Sequence, residues 1–348
     1  MTTTTEAEAT ATVRPGKPVL EVEDLHVHFR TRGTDVHAVN GIDLTVHTGE
    51  TLAVLGESGS GKSASAQAIM GILESPPGFV TGGSVRFRGD DLLALSEDER
   101  RAVRGPGIAM VFQDALAALN PVHTVGAQVA EMFRAHHGMR RREAMSRAVD
   151  LLDRVGIPDA HRRARSYPHQ FSGGMRQRVM VAMAIALDPD VLIADEPTTA
   201  LDVTVQAQIM ELLKELQRDT GMGLLLITHD LGVVNETADR VAVMYAGRIV
   251  EHGRTADILA RPAHPYTVGL MESVPRAEEE SERLRPITGA PPNLTAIPHG
   301  CAFHPRCPMA RLEPSDEPAA CNADRPTLQL INADRGAACH YKAEVLGV

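Results

Sequence analysis

The stretch Gly56-Glu57-Ser58-Gly59-Ser60-Gly61-Lys62-Ser63 decides the fold. It fits the pattern G-x-x-x-x-G-K-[ST] in full, the pattern of a loop that cradles phosphate. Leu52, Ala53, Val54 and Leu55 lead into it as a buried strand would, and residues 64–73 follow with a helical pattern. The glycines let the backbone curl so that several N–H groups point at one phosphate. The helix N-terminus adds its partial positive charge. In such a loop Lys62 reaches the β- and γ-phosphates and Ser63 ligates magnesium. The chain has only four lysines, Lys17, Lys62, Lys214 and Lys342, and one stands where this chemistry needs an ammonium.

The 348 residues give room for two domains, and 43% hydrophobic residues allow a substantial core. The net charge is -10, from 45 acidic and 35 basic residues. That balance argues against nucleic acid as the main partner, since a phosphate backbone wants a basic face. The run Arg140-Arg141-Arg142 reads as a solvated helix surface rather than a nucleic-acid patch. No apolar run approaches the roughly 18–20 residues that span a bilayer. The leading residues are rich in Thr and Ala and lack the basic and apolar regions of an export signal. Residues 1–18 are therefore expected to be a disordered tail, and the chain to be cytosolic with only peripheral membrane contact.

Residues 19–25 and 36–46 read as strands joined by a polar turn at 31–35, and 85–87 as a strand before the turn Gly89-Asp90-Asp91. A short apolar run, 108–112, ends near Gln113. Residues 124–155 and 172–187 have helical patterns. The apolar runs 191–194, 224–228 and 241–245 are short, continuous and bounded by turn residues, as buried parallel strands are. A helical stretch, 205–218, separates the first two. This alternation predicts an α/β fold with a largely parallel sheet. After about Gly253 prolines crowd in and aliphatic periodicity fades. That tail looks loop-rich and poorly equipped to build a core unaided.

A second motif supports the phosphate loop. Val191-Leu192-Ile193-Ala194 is an apolar strand ending in Asp195 and Glu196. An Asp at the end of a strand beside a phosphate loop can hold magnesium. The adjacent Glu196 can polarise an attacking water. Alone, the pair would read equally well as a solvated acidic turn; beside the phosphate loop it does not. Between the two motifs lies Phe171-Ser172-Gly173-Gly174-Met175, a hydroxyl residue and two glycines opening a helix. This is another anion-binding N-terminus. Two phosphate-ready helix ends in one chain suit a single nucleotide held between two subunits.

Taken together, these motifs resemble the ATP-binding cassette (ABC) ATPases of membrane transporters, in that family's order, from about Val19 to Gly253. The resemblance implies a P-loop NTPase fold with a RecA-like core, an antiparallel β subdomain and a helical subdomain at about 114–177. Gly56, Glu57, Ser58, Gly59, Ser60, Gly61, Lys62 and Ser63 match the Walker A loop, and Asp195 and Glu196 match Walker B and the catalytic base. Gln113 matches the Q-loop glutamine, implied to touch magnesium together with Ser63 and Asp195. Ser172, Gly173 and Gly174 match the signature L-S-G-G-Q, with Phe171 and Met175 departing from it at either end. Asp202 matches the D-loop, and His229 the switch histidine at the γ-phosphate. Phe29 falls where the family stacks an aromatic ring on adenine. The implied mechanism clamps ATP on Lys62 of one subunit beneath Ser172 and Gly174 of another.

All four cysteines, Cys301, Cys307, Cys321 and Cys339, lie in the proline-rich tail. The reducing cytosol disfavours disulfides. That leaves a metal centre or four free thiols. A metal centre is expected, because scattered thiols would not all fall in the segment least able to fold by itself, and four thiolates could hold zinc or a 4Fe–4S cluster. The tail, residues 254–348, also narrows the resemblance. His264-Pro265-Tyr266-Thr267 is similar to the H-P-Y-T element of oligopeptide, dipeptide and nickel importer ATPases, and the cysteine pattern to their C-terminal extension. For members with that pattern a 4Fe–4S cluster is implied.

The resulting expectation is the ATP-hydrolysing subunit of a di- or oligopeptide importer. It would work with a second ATPase subunit, two membrane permeases and an extracytoplasmic binding protein, at the cytoplasmic face of the membrane and without nucleic acid. Nickel, opine or antimicrobial-peptide cargo would use the same fold. A non-transport ABC ATPase fits less well, since those chains tend to carry coiled-coil insertions or two cassettes.

Overall fold

The computed structural model describes residues 16–31, 33–273, 286–311 and 320–347. The tail expected at 1–18 thus lies outside the described residues up to residue 15, and strand structure begins at Pro18.

Strands β1 (Pro18–Thr31) and β2 (Thr34–His47) form an antiparallel hairpin. β3 (Thr51–Leu55) then enters the central sheet and leads into the helix Lys62–Met70. β4 (Gly78–Phe87) and β5 (Asp90–Asp91) return to the hairpin, giving a four-stranded sheet. β6 (Ile108–Val111), β7 (Val191–Asp195), β8 (Gly223–Thr228) and β9 (Arg240–Tyr245) join β3 in parallel. β10 (Arg248–Arg254) turns antiparallel on β9. From the tail, β11 (Gln329–Asn332) and β12 (Arg335–Ala337) extend the same sheet, ordered β11-β12-β10-β9-β3-β8-β7-β6.

β3, β7 and β8 are buried at every residue because both sheet faces are covered. Side chains nevertheless alternate between the faces. Leu192 and Ala194 pack with the helices Val125–His137, Arg141–Arg154, Gly173–Ile185 and Val203–Thr220. Val191 and Ile193 pack with the four-stranded sheet and the helix Lys62–Met70. A third apolar cluster joins Leu55, Val243 and Tyr245 to Tyr266, Phe303 and Cys307 of the tail.

Two expectations change. The hairpin strands run past residue 25, because cross-strand pairing continues as far as Thr31 and Thr34. The helical pattern over 124–155 is two helices, divided where Gly138 takes φ 62° and its N–H bonds back to Arg134 O and Phe133 O. In the tail, β12 pairs with β10 and the aromatics fill the third cluster, so its apolar side chains are covered together with those of the central sheet rather than in a core of their own. Arg140, Arg141 and Arg142 are exposed at the start of the second of those helices.

Candidate active site

The phosphate loop joins β3 to the helix Lys62–Met70. Gly61 caps that helix at φ 107°, and a Cβ there would stand 2.2 Å from Ala38 O. Only glycine fits such an approach. Lys62, 4% exposed, donates to Gly56 O at 2.8 Å and to Glu57 O at 2.9 Å. Burial lowers its pKa, against the pull of Glu196, Asp195 and Glu57. A buried ammonium held only by carbonyls is ready for an anionic partner.

A cleft of about 940 Å³ opens over this loop. It gathers Phe29, Lys62, Ser63, Gln113, Glu196 and His229 on one surface, although they are spread over some two hundred residues of sequence. Ser63 Oγ donates to Asp195 Oδ1 at 3.0 Å. Asp195 ends β7 with 4% exposure, and burial raises its pKa. The hydroxyl, the buried carboxylate and the Gln113 amide are the hard oxygen donors magnesium takes, so these residues fit that ion. Next in the chain, Glu196 takes φ 46°, a conformation that strains a residue with a side chain. Its carboxylate accepts from Gln113 Nε2 at 3.0 Å and Thr199 Oγ1 at 2.9 Å, and His229 Nδ1 lies 3.3 Å away. A carboxylate fixed from three sides has a set direction for accepting a proton.

Ser172, Gly173, Gly174 and Asp202 do not line this cleft. Ser172 caps the helix Gly173–Ile185, its Oγ accepting from Met175 N–H at 3.4 Å. Asp202 caps the helix Val203–Thr220 in the same way, accepting from Val205 N–H at 3.0 Å. A Cβ on Gly174 would meet Val205 Cγ1 at 2.4 Å, so the two helix starts are packed together. Within one chain there are thus two separate sets of anion-ready groups.

Three residues that sequence reasoning passed over reach the site. Thr199 holds Glu196. Tyr266 and Arg306 come from the tail and both bind Glu57 of the phosphate loop. Thr199 follows the Asp-Glu pair closely enough to have been suspected. Tyr266 stands in the His-Pro-Tyr-Thr element but nothing there ties it to this site, and nothing local marks Arg306.

The expected metal centre on Cys301, Cys307, Cys321 and Cys339 is not formed by these side chains as they stand. Among the described residues, no group of three or more His, Cys, Asp or Glu is arranged to hold a metal ion. Burial raises the Cys301 thiol and pushes Cys339 up to about 12. Cys307 is buried in the apolar cluster with Tyr245 and Phe303, packed as a small apolar group.

Comparison with known proteins agrees with this geometry. Residues 39–199 match the ABC transporter family, and residues 250–313 match the oligopeptide/dipeptide transporter C-terminal region. The chain is 53% identical over 290 residues to the dipeptide transport ATP-binding protein DppD of Bacillus subtilis, spanning 83% of this chain and 87% of that protein. It is 48% identical over 338 residues to the oligopeptide transport ATP-binding protein OppD of Salmonella typhimurium, spanning 97% and 98%. Among solved structures it is similar to the ATP-binding cassette MJ0796, a dimer in a post-hydrolysis state with ADP and Pi. That likeness has 28% identity and a TM-score of 0.61, over 68% of this chain and 98% of the other. The chain belongs to the ABC transporter ATP-binding proteins, in their oligopeptide and dipeptide transport branch.

Proposed function

We propose that the chain is the ATP-hydrolysing subunit of a di- or oligopeptide importer. The observation that carries this is the gathering of Lys62, Ser63, Gln113, Glu196 and His229 around one cleft, in a chain whose relatives are named for peptide transport. Lys62 and the loop N–H groups bind the triphosphate, and Phe29 offers a ring to the base. Magnesium on Ser63, Asp195 and Gln113 would neutralise charge on the phosphate oxygens. Glu196 accepts the proton of the attacking water, held in place by Thr199 and Gln113, and His229 faces the γ-phosphate.

Two subunits pair head to tail in this reading. Ser172, Gly173, Gly174 and Asp202 of one subunit complete the site of the other. Their position outside the cleft of their own chain supports it. So does the likeness to a cassette solved as a dimer. The ATPase unit spans 19–253, with its helical part at about 114–177, and the extension spans 254–348. Closure on ATP would drive two membrane permeases, with a binding protein delivering cargo from outside. Among the described residues no helix is long and apolar enough to cross a membrane, which agrees with peripheral attachment at the cytoplasmic face. A 4Fe–4S or zinc centre on Cys301, Cys307, Cys321 and Cys339 is the remaining part of the proposal. It is supported by the hydrogen bond from Cys301 N to Cys321 O at 2.8 Å and by the proximity of Cys301 and Cys339 to Cys307. Metal analysis after anaerobic purification decides it.

The test of the whole reading is reconstitution with candidate permeases in vesicles. ATP-dependent uptake of labelled peptide that stops with Glu196→Gln supports it. Uptake that persists with this substitution refutes it.

A further inference from the structure

Glu57 places a carboxylate inside a loop that otherwise attracts phosphate. Left alone, that charge would repel a triphosphate. It is not left alone. The Arg306 guanidinium meets it as a fork, with Nη1 to Oε2 at 2.6 Å and Nη2 to Oε1 at 2.9 Å. Paired donors of this kind fix direction as well as charge. The rest of the guanidinium is also held. Nε donates to Thr288 O at 3.1 Å, and the cation lies 5.9 Å from the ring centres of both Tyr245 and Phe303. The Arg306 side chain is 5% exposed and that of Glu57 26%, so the guanidinium side of the pair is the part shielded from water and salt.

A second contact reaches the same residue. Tyr266 Oη accepts the backbone N–H of Glu57 at 2.8 Å. Tyr266 is itself fixed, its N–H donating to His264 Nδ1 at 3.0 Å. The N–H groups of Ala263 and His264 donate to the Glu251 carboxylate, which pairs with Arg335 at 3.0 Å. A continuous set of hydrogen bonds therefore runs from β12 at the far end of the chain to the opening turn of the phosphate loop.

We propose that Arg306 and Tyr266 are positioning residues for the nucleotide: the C-terminal extension neutralises Glu57 and sets the phosphate loop in its binding form. The extension is then part of what makes the ATP site competent, rather than an appendage. This rests on the nucleotide-binding reading of the cleft.

The test is titration of the full-length chain with the fluorescent nucleotide mant-ATP and magnesium, alongside thermal melting. Arg306→Ala should weaken binding at least tenfold, because Glu57 then faces the phosphates unpaired. Adding Glu57→Gln to that variant should recover most of the loss, which a purely structural role for Arg306 would not allow. Arg306→Lys, which keeps charge without the fork, should fall between. Tyr266→Phe should weaken binding threefold or more while the melting temperature stays within a few degrees. Unchanged affinity in Arg306→Ala overturns the proposal, as does a double variant no better than the single one. Lys62→Ala separates the two levels: if it still binds mant-ATP, the nucleotide reading itself is wrong. If it loses binding while Arg306→Ala does not, only the role of the extension fails.

Discussion

Ser63 Oγ and Asp195 Oδ1 stand 3.0 Å apart, although the two residues are 132 positions apart in the sequence. One begins a helix and the other ends a strand two places along the sheet. A buried carboxylate whose nearest partner is a neutral hydroxyl is short of positive charge, and a divalent cation supplies it. Asp195→Asn removes that demand. ATPase activity of the assembled complex should fall by about 100-fold or more. Magnesium should cease to strengthen nucleotide binding, as titrations with and without the ion would show.

Glu196 and Thr199 allow a graded test. Glu196→Gln keeps the shape and removes the base, so turnover should drop by ~10²–10⁴-fold while ATP still binds. Thr199→Ala removes only one of the contacts that aim the carboxylate. Its effect should be several-fold, in kcat rather than KM. Equal losses in the two variants would mean that Thr199 does more than orient.

His264 gives the fold a pH dependence of known sign. Burial pushes its imidazole down to about 3 from an ordinary 6.5. Below pH 6.5 the unfolded chain takes up a proton that the folded chain refuses until about pH 3. This contribution to stability is therefore complete above pH 6.5 and is lost progressively as pH falls towards 3. The shift of about 3.5 pH units corresponds to at most ~5 kcal/mol. His264→Asn keeps a capping acceptor for Tyr266 N–H and removes the titration. Urea unfolding of parent and variant across pH 4–7 should give a difference that narrows in the variant's favour as pH falls.

Glu251 is fully buried and accepts from Ala263 N–H, His264 N–H and Arg335 Nη2. Arg335→Met leaves the carboxylate without its cation. The expected cost is about 3–5 kcal/mol, read from the urea midpoint. Glu251→Gln together with Arg335→Met should cost less than the single change, because no buried charge then remains unpaired.

The phosphate loop and the Asp195–Glu196 pair were legible because each is a local pattern ending a continuous apolar strand. The buried parallel strands were legible for the same reason. The break at Gly138 was not, because apolar residues continue at helical spacing on both sides of it. Arg306 and Tyr266 were hidden by distance. Their role depends on where the sheet carries the tail, and no spacing in the sequence states that. The cysteines stand differently: a shared segment suggested a shared ion, and among the described residues their side chains are not arranged as a ligand set, with Cys307 packed in the third apolar cluster.

The pairing of Glu251 and His252 with Ala337 and Gly336 has a practical consequence for anyone trimming this chain. A version ending soon after residue 313, where the recognised C-terminal region stops, would strip β10 of its neighbour. The bared backbone donors and acceptors would then seek another strand, and the neighbour within reach at high concentration is a second truncated molecule. Precipitation of such a fragment would report an uncovered seam in the sheet, not a defect in the catalytic cleft.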